Sequence, residues 1–100
     1  MSNRKRDGSQ FSASEIQAVW EKAQIITNPE KDVKRKDCCG ATILRKEHGN
    51  TNSSNGWEVD HIKPVASYGS DDLSNLQPLQ WENNRHKGDN YPNWSCKVQS

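Results

Sequence analysis

The sequence predicts a small α+β domain. Three observations carry that expectation: a capped amphipathic helix near the start, two short strand-forming segments in the second half, and a polar segment ending at Gly88 that reads as a closing helix. One hundred residues hold one hydrophobic core, and no second independent core fits. Leu, Ile, Val and Phe number only 15, a content that accompanies disorder when net charge is large. Here 14 basic and 13 acidic residues leave a net +1, and four tryptophans make up part of the apolar deficit.

Residues 1–10 are basic at Arg4, Lys5 and Arg6 and read as a disordered N-terminus, with residues 11–100 as one domain. That start runs into Asp7, Gly8 and Ser9 rather than an apolar stretch, and no window approaches ~18 apolar residues, so neither a signal peptide nor a membrane partner is expected. The first helix opens at Ser12, where Ser12 and Glu15 form a capping box and Phe11 and Ile16 supply the hydrophobic staple. Ile16, Val19, Trp20, Ala23 and Ile26 recur at helical spacing as a core-facing stripe, and Asn28 before Pro29 should end the helix.

Lys31, Lys34, Arg35 and Lys36 follow as a charge run, a solvated face or a set of phosphate contacts. Residues 39–44 read as a short strand after a turn, and residues 49–56, rich in Asn and Ser, as a loop. Three cysteines, two of them adjacent at Cys38 and Cys39, do not suggest a disulfide framework, because sequence neighbours bridge only with strain. A reducing, cytoplasmic setting is the expectation. The first fifty residues hold 10 basic and 7 acidic side chains and the last fifty hold 4 and 6, an asymmetry that suits a polyanion meeting a cation-binding site.

The chemistry-bearing stretch is residues 56–89. Trp57, Val59 and Ile62 read as a strand halted by Pro64; Leu76 to Leu79 give a second strand; Gln80 to Lys87 give a helix that Gly88 terminates. Asp60 and His61 close the first strand, Asn75 follows 14 positions later within Leu-Ser-Asn-Leu, and Asn84 stands nine positions beyond that. Singly, each has an ordinary reading: a packed histidine, a turn asparagine, an exposed helix position. In this order and spacing the set resembles the motif of the HNH endonuclease family, whose fold is the ββα-metal, or His-Me finger, domain.

The resemblance implies a ββα-metal domain with an additional N-terminal amphipathic helix. It also implies His61 as general base, Asp60 and Asn84 as metal ligands, and Asn75 as the residue that holds His61 in place. The chemistry agrees: histidine accepts a proton near neutral pH, and carboxylate and amide oxygens suit one hard cation, Mg²⁺ or Mn²⁺. His86 ranks below Asn84 as a ligand because two residues along a helix it faces elsewhere, and Glu58 and Asp89 rank as spare ligands. Lys63, Arg85 and Lys87, with Lys34, Arg35 and Lys36, are the candidates for gripping phosphates.

The sequence departs from the family in one respect. Many members clamp the fold with a zinc held by two Cys-x-x-Cys pairs, but Gln80 and Asn83 stand where the second pair would lie, and Cys38-Cys39-Gly40-Ala41 is at most a broken first pair. Structural zinc is therefore not expected; the one alternative is a nonstandard site from Cys38 or Cys39, Cys96 and a histidine. The expected function is a metal-dependent HNH endonuclease hydrolysing phosphodiester bonds in DNA, or in RNA, as a monomer or weak homodimer. The alternative is a catalytically weak nucleic-acid-binding module of the same fold.

Overall fold

Ser12 starts helix α1 (Ala13–Trp20) as its spacing to Glu15 requires: Ser12 Oγ accepts from the Glu15 amide at 3.1 Å, and Glu15 Oε1 accepts from the Ser12 amide at 2.8 Å. In this computed structural model, which describes residues 3–100, α1 ends at Trp20 rather than running to Asn28. Arg35 supplies the reason. Its guanidinium donates to the Glu21 carbonyl at 3.0 Å and the Ala23 carbonyl at 3.2 Å, and it lies 5.7 Å from the centre of the Trp20 ring. The chain then extends into β1 (Gln24–Ile25), which pairs with β2 (Lys34–Lys36), and β2 pairs with β3 (Thr42–Leu44), all antiparallel. Ala23 stays buried, but Ile26, expected on the same helical stripe, is 38% exposed.

The second sheet pairs β4 (Trp57–His61) antiparallel with β5 (Leu76–Gln80) and leads directly into α2 (Trp81–Lys87). Pro78 sits inside β5 opposite Val59. Val59 turns its polar backbone the other way, its amide bonded to Asn3 Oδ1 and its carbonyl to the Asn3 amide, so the missing Pro78 N–H leaves no gap in the ladder. Gln80 caps α2 by accepting from the Glu82 and Asn83 amides, and Gly88 closes it at φ +55°, a value that favours glycine. Trp20 and Trp57 meet at the centre with ring centroids 5.5 Å apart, among Val19, Ile43, Val59 and Leu76.

Two features tie the body together. Asp37, 2% exposed, accepts from the Cys39 and Ala41 amides through Oδ1 and from the Gln80 amide and Asn83 Nδ2 through Oδ2. These hydrogen bonds join the segment around Cys39 to the start of α2, the two places where the paired cysteines of a zinc clamp would stand. The second tie corrects the expectation that the three cysteines form no disulfide framework: Cys39 and Cys96 form a disulfide across 57 positions, leaving Cys38 free. The bond removes the thiol argument for a reducing compartment and takes Cys39 and Cys96 from the nonstandard zinc site considered above, leaving it Cys38 alone. It also anchors the C-terminal tail, where the Lys97 and Val98 amides donate to Asn83 Oδ1.

Of the N-terminal segment expected to be disordered, residues 1 and 2 lie outside the described residues. In the remainder, Asn3 bonds β4 as above, Lys5 pairs with Glu15 at 3.1 Å, and the Arg6 amide reaches Asp71. Among the described residues no helix is long and apolar enough to cross a membrane.

Candidate active site

All five residues of β4 are buried, although Glu58, Asp60 and His61 are polar. Buried polar groups demand partners, and each of these has them. Glu58 accepts from Asn84 Nδ2 at 3.0 Å and from Arg85 at 3.0 and 3.3 Å. Asp60 Oδ2 accepts from Gln77 Nε2 at 2.9 Å, and Oδ1 faces Lys87 Nζ at 3.3 Å. Burial raises the Asp60 pKa above the usual carboxylate value, opposed by the Gln77 hydrogen bond and the Lys87 charge. His61 Nε2 lies 2.7 Å from Asp71 Oδ1, with the Phe11 ring 6.0 Å away.

Asp60, His61 and Asn84 line one cleft of about 450 Å³, with Arg85 and Asp89 also in its wall. Helix α2, packed against β4, brings Asn84 there. A carboxylate only accepts, so the Asn84–Glu58 bond forces the amide nitrogen toward Glu58 and leaves Oδ1 for the cleft. Among the described residues that oxygen takes no hydrogen bond, and no fully buried side-chain nitrogen or oxygen is left without a partner, so it keeps access to solvent. Each Asp60 oxygen accepts one hydrogen bond and retains a lone pair.

Two oxygen donors on one cleft fit a hard cation that keeps most of its own water, as Mg²⁺ and Mn²⁺ do. No group of three or more His, Cys, Asp and Glu side chains with metal-binding geometry occurs among the described residues. Asp60 and Asn84 are residues that could hold such an ion.

Other sequence-based candidates fall elsewhere. Asn75 was expected to hold His61, but its side chain bonds the Lys63 amide at 2.9 Å, the Lys63 carbonyl at 3.1 Å and the Ser70 carbonyl at 2.8 Å, bracing the loop that leaves β4. It reaches His61 only through the next residue, where the Ile62 amide donates to the Asn75 carbonyl. The loop is tight: a side chain at Gly69 would put its Cβ 1.7 Å from the Lys63 carbonyl oxygen. Arg35, expected to meet phosphate, is 5% exposed and occupied by backbone carbonyls. Lys87, expected to do the same, is fully buried against Asp60 and the His61 carbonyl. Lys34 pairs with Glu30 at 3.5 Å; Lys63 is exposed; Arg85 keeps 54% of its side chain open while holding Glu58.

Sequence reasoning missed Asp71 and Gln77, the partners of His61 and Asp60. Asp71 reads as half of an acidic turn pair and Gln77 as an ordinary strand residue. Only the register that sets Asp60 opposite Gln77 gives the latter a role.

A family model described as HNH endonuclease matches residues 37–90, from the Asp37 hydrogen-bond centre to just past the end of α2. No curated protein and no solved structure matches the chain. With more than half of its length inside that match, the chain belongs to the HNH endonuclease family.

Proposed function

We propose that the chain is a metal-dependent endonuclease that hydrolyses phosphodiester bonds in DNA, using water activated by His61 and one divalent cation, Mg²⁺ or Mn²⁺, held by Asp60 and Asn84. The observation that carries this reading is the convergence of those three side chains on one cleft. When bound, the cation supplies charge stabilisation for the scissile phosphate and the departing 3′ oxygen. His61 Nδ1 takes a proton from water, the water oxygen attacks phosphorus, the bond to the 3′ oxygen breaks, and that oxygen takes a proton from solvent. Gln77 and Lys87 favour the ionised form of the Asp60 carboxylate and so oppose the effect of burial. Arg85, in the cleft wall, and exposed Lys63 meet flanking phosphates, with Lys34 and Lys36 as more distant contacts.

The Lys87–Asp60 pair favours a second reading, a nucleic-acid-binding module of weak activity, because an ammonium 3.3 Å from the carboxylate opposes a second cation there. One assay separates the two. Plasmid incubated with the protein and Mg²⁺, Mn²⁺ or Ni²⁺ is expected to be nicked, EDTA to stop it, and His61→Ala to slow it by ~10² to 10⁴. Binding without nicking under every cation would support the module; equal nicking by His61→Ala would remove His61 as base. A parallel RNA substrate decides between the two nucleic acids.

A further inference from the structure

The geometry points to Asp71 as the positioning residue of the catalytic base, held in place by the backbone amide of Arg6 so that His61 presents Nδ1 to the cleft. The inference rests on His61 being the base, as proposed above. Its observation is a chain of hydrogen bonds. The Arg6 amide donates to both carboxylate oxygens of Asp71, at 3.1 and 3.3 Å, and Asp71 Oδ1 lies 2.7 Å from His61 Nε2.

An ionised carboxylate offers no proton, so the hydrogen in the Asp71–His61 bond belongs to Nε2. A neutral imidazole carries one ring proton, and with it on Nε2 the lone pair is on Nδ1. Nδ1 takes no hydrogen bond among the described residues, and His61 lines the cleft. Asp71 thereby selects which nitrogen accepts a proton from water. His61 is 4% exposed and packs beside Phe11, which limits the ring to small movements.

Asp71 is itself 32% exposed and follows a loop, so an unsupported side chain would sample other rotamers. The Arg6 amide restricts it from one side. Asn75 braces the adjoining loop from the other through Ser70. The N-terminal segment is fixed in turn by Asn3, bonded to both polar groups of Val59 and to His48 Nε2 at 2.8 Å. Residues 3–6 thus complete the support of a base that lies more than fifty positions away in the chain.

The test pairs kinetics with ring spectroscopy. In the parent protein, long-range ¹H–¹⁵N spectra of the neutral His61 ring should show Nε2 protonated and Nδ1 bare. Asp71→Ala should mix the two tautomers and lower kcat for nicking by about 10- to 100-fold with KM within about twofold, the usual scale for losing an orienting partner. Asp71→Leu, similar in size but without an acceptor for Nε2–H, repeats the measurement if the alanine variant does not fold. An unchanged tautomer overturns the inference whatever kcat does, since Asp71 would then act elsewhere than on the ring; a mixed tautomer with kcat unchanged overturns it as well. In either case an inactive His61→Ala leaves the base assignment standing, whereas an active His61→Ala overturns that assignment itself.

Discussion

Lys87 Nζ stands 3.3 Å from Asp60 Oδ1, with 1% and 7% of the two side chains exposed. A pair so enclosed is costly to break, because the remaining charge is left poorly solvated. Lys87→Met should lower stability by about 3–5 kcal/mol without added metal, the usual range for removing one member of a buried ion pair. If Asp60 is a cation ligand, millimolar Mn²⁺ should recover part of that loss by binding the folded state alone. Chemical denaturation of both proteins with and without Mn²⁺ checks this. A loss unaffected by Mn²⁺ would count against Asp60 as ligand.

Asp37 gathers four hydrogen bonds from two parts of the chain about forty positions apart. Asp37→Ala strands the buried Gln80 amide and two turn amides, and leaves Asn83 Nδ2 with only its bond to the Val98 carbonyl. The expected loss is about 3 kcal/mol, since each unpaired buried donor costs ~1–3 kcal/mol and some will find water. For a domain of this size that corresponds to a Tm lowered by roughly 12–24 °C. A melt shifted by less than a few degrees would show that Asp37 is not the clamp between these elements.

What the sequence made legible was local or periodic. The Ser12–Glu15 box, the strand ending at His61 and the Gln80-to-Gly88 helix all depend on residues within a few positions of each other, and all are present. The helical stripe misled beyond Trp20 because the decisive contact, Arg35 on the Glu21 and Ala23 carbonyls, comes from another strand. For the site, spacing identified the residues that line the cleft but not what supports them. Asp71 and Arg6 meet across 65 positions, and nothing in either local sequence marks the contact. Lys87 looked like a phosphate contact because a lysine near a helix end is usually solvated; its burial follows only from α2 packing on β4.

The Cys39–Cys96 bond encloses 57 positions of chain, so breaking it frees a long loop in the unfolded state. Cys96→Ser should cost about 2–4 kcal/mol, the common range for a native disulfide. Thiol titration of the unreduced protein should find Cys38 alone, and denaturation with and without reductant measures the cost. Superimposable curves would show that the disulfide adds no stability.

His48 gives the stability a pH dependence whose sign follows from its surroundings. Burial lowers its pKa below the ordinary value, the Arg45 charge lowers it further, and Glu58 opposes both. Its Nε2 donates to Asn3 Oδ1, the oxygen that also accepts from the Val59 amide, in either protonation state, so burial and the Arg45 charge are what favour the neutral ring in the folded protein. As pH falls through the unfolded value of ~6.5, the unfolded chain takes up this proton before the folded one does, and folding stability declines until the folded value is passed. His48→Gln keeps a donor for Asn3 but does not titrate. The difference in unfolding free energy between parent and variant should therefore be constant above about pH 7.5 and shift in the variant's favour between about pH 7 and 5. A difference that stays flat across that range, or moves the other way, would mean that His48 is not held neutral by the fold.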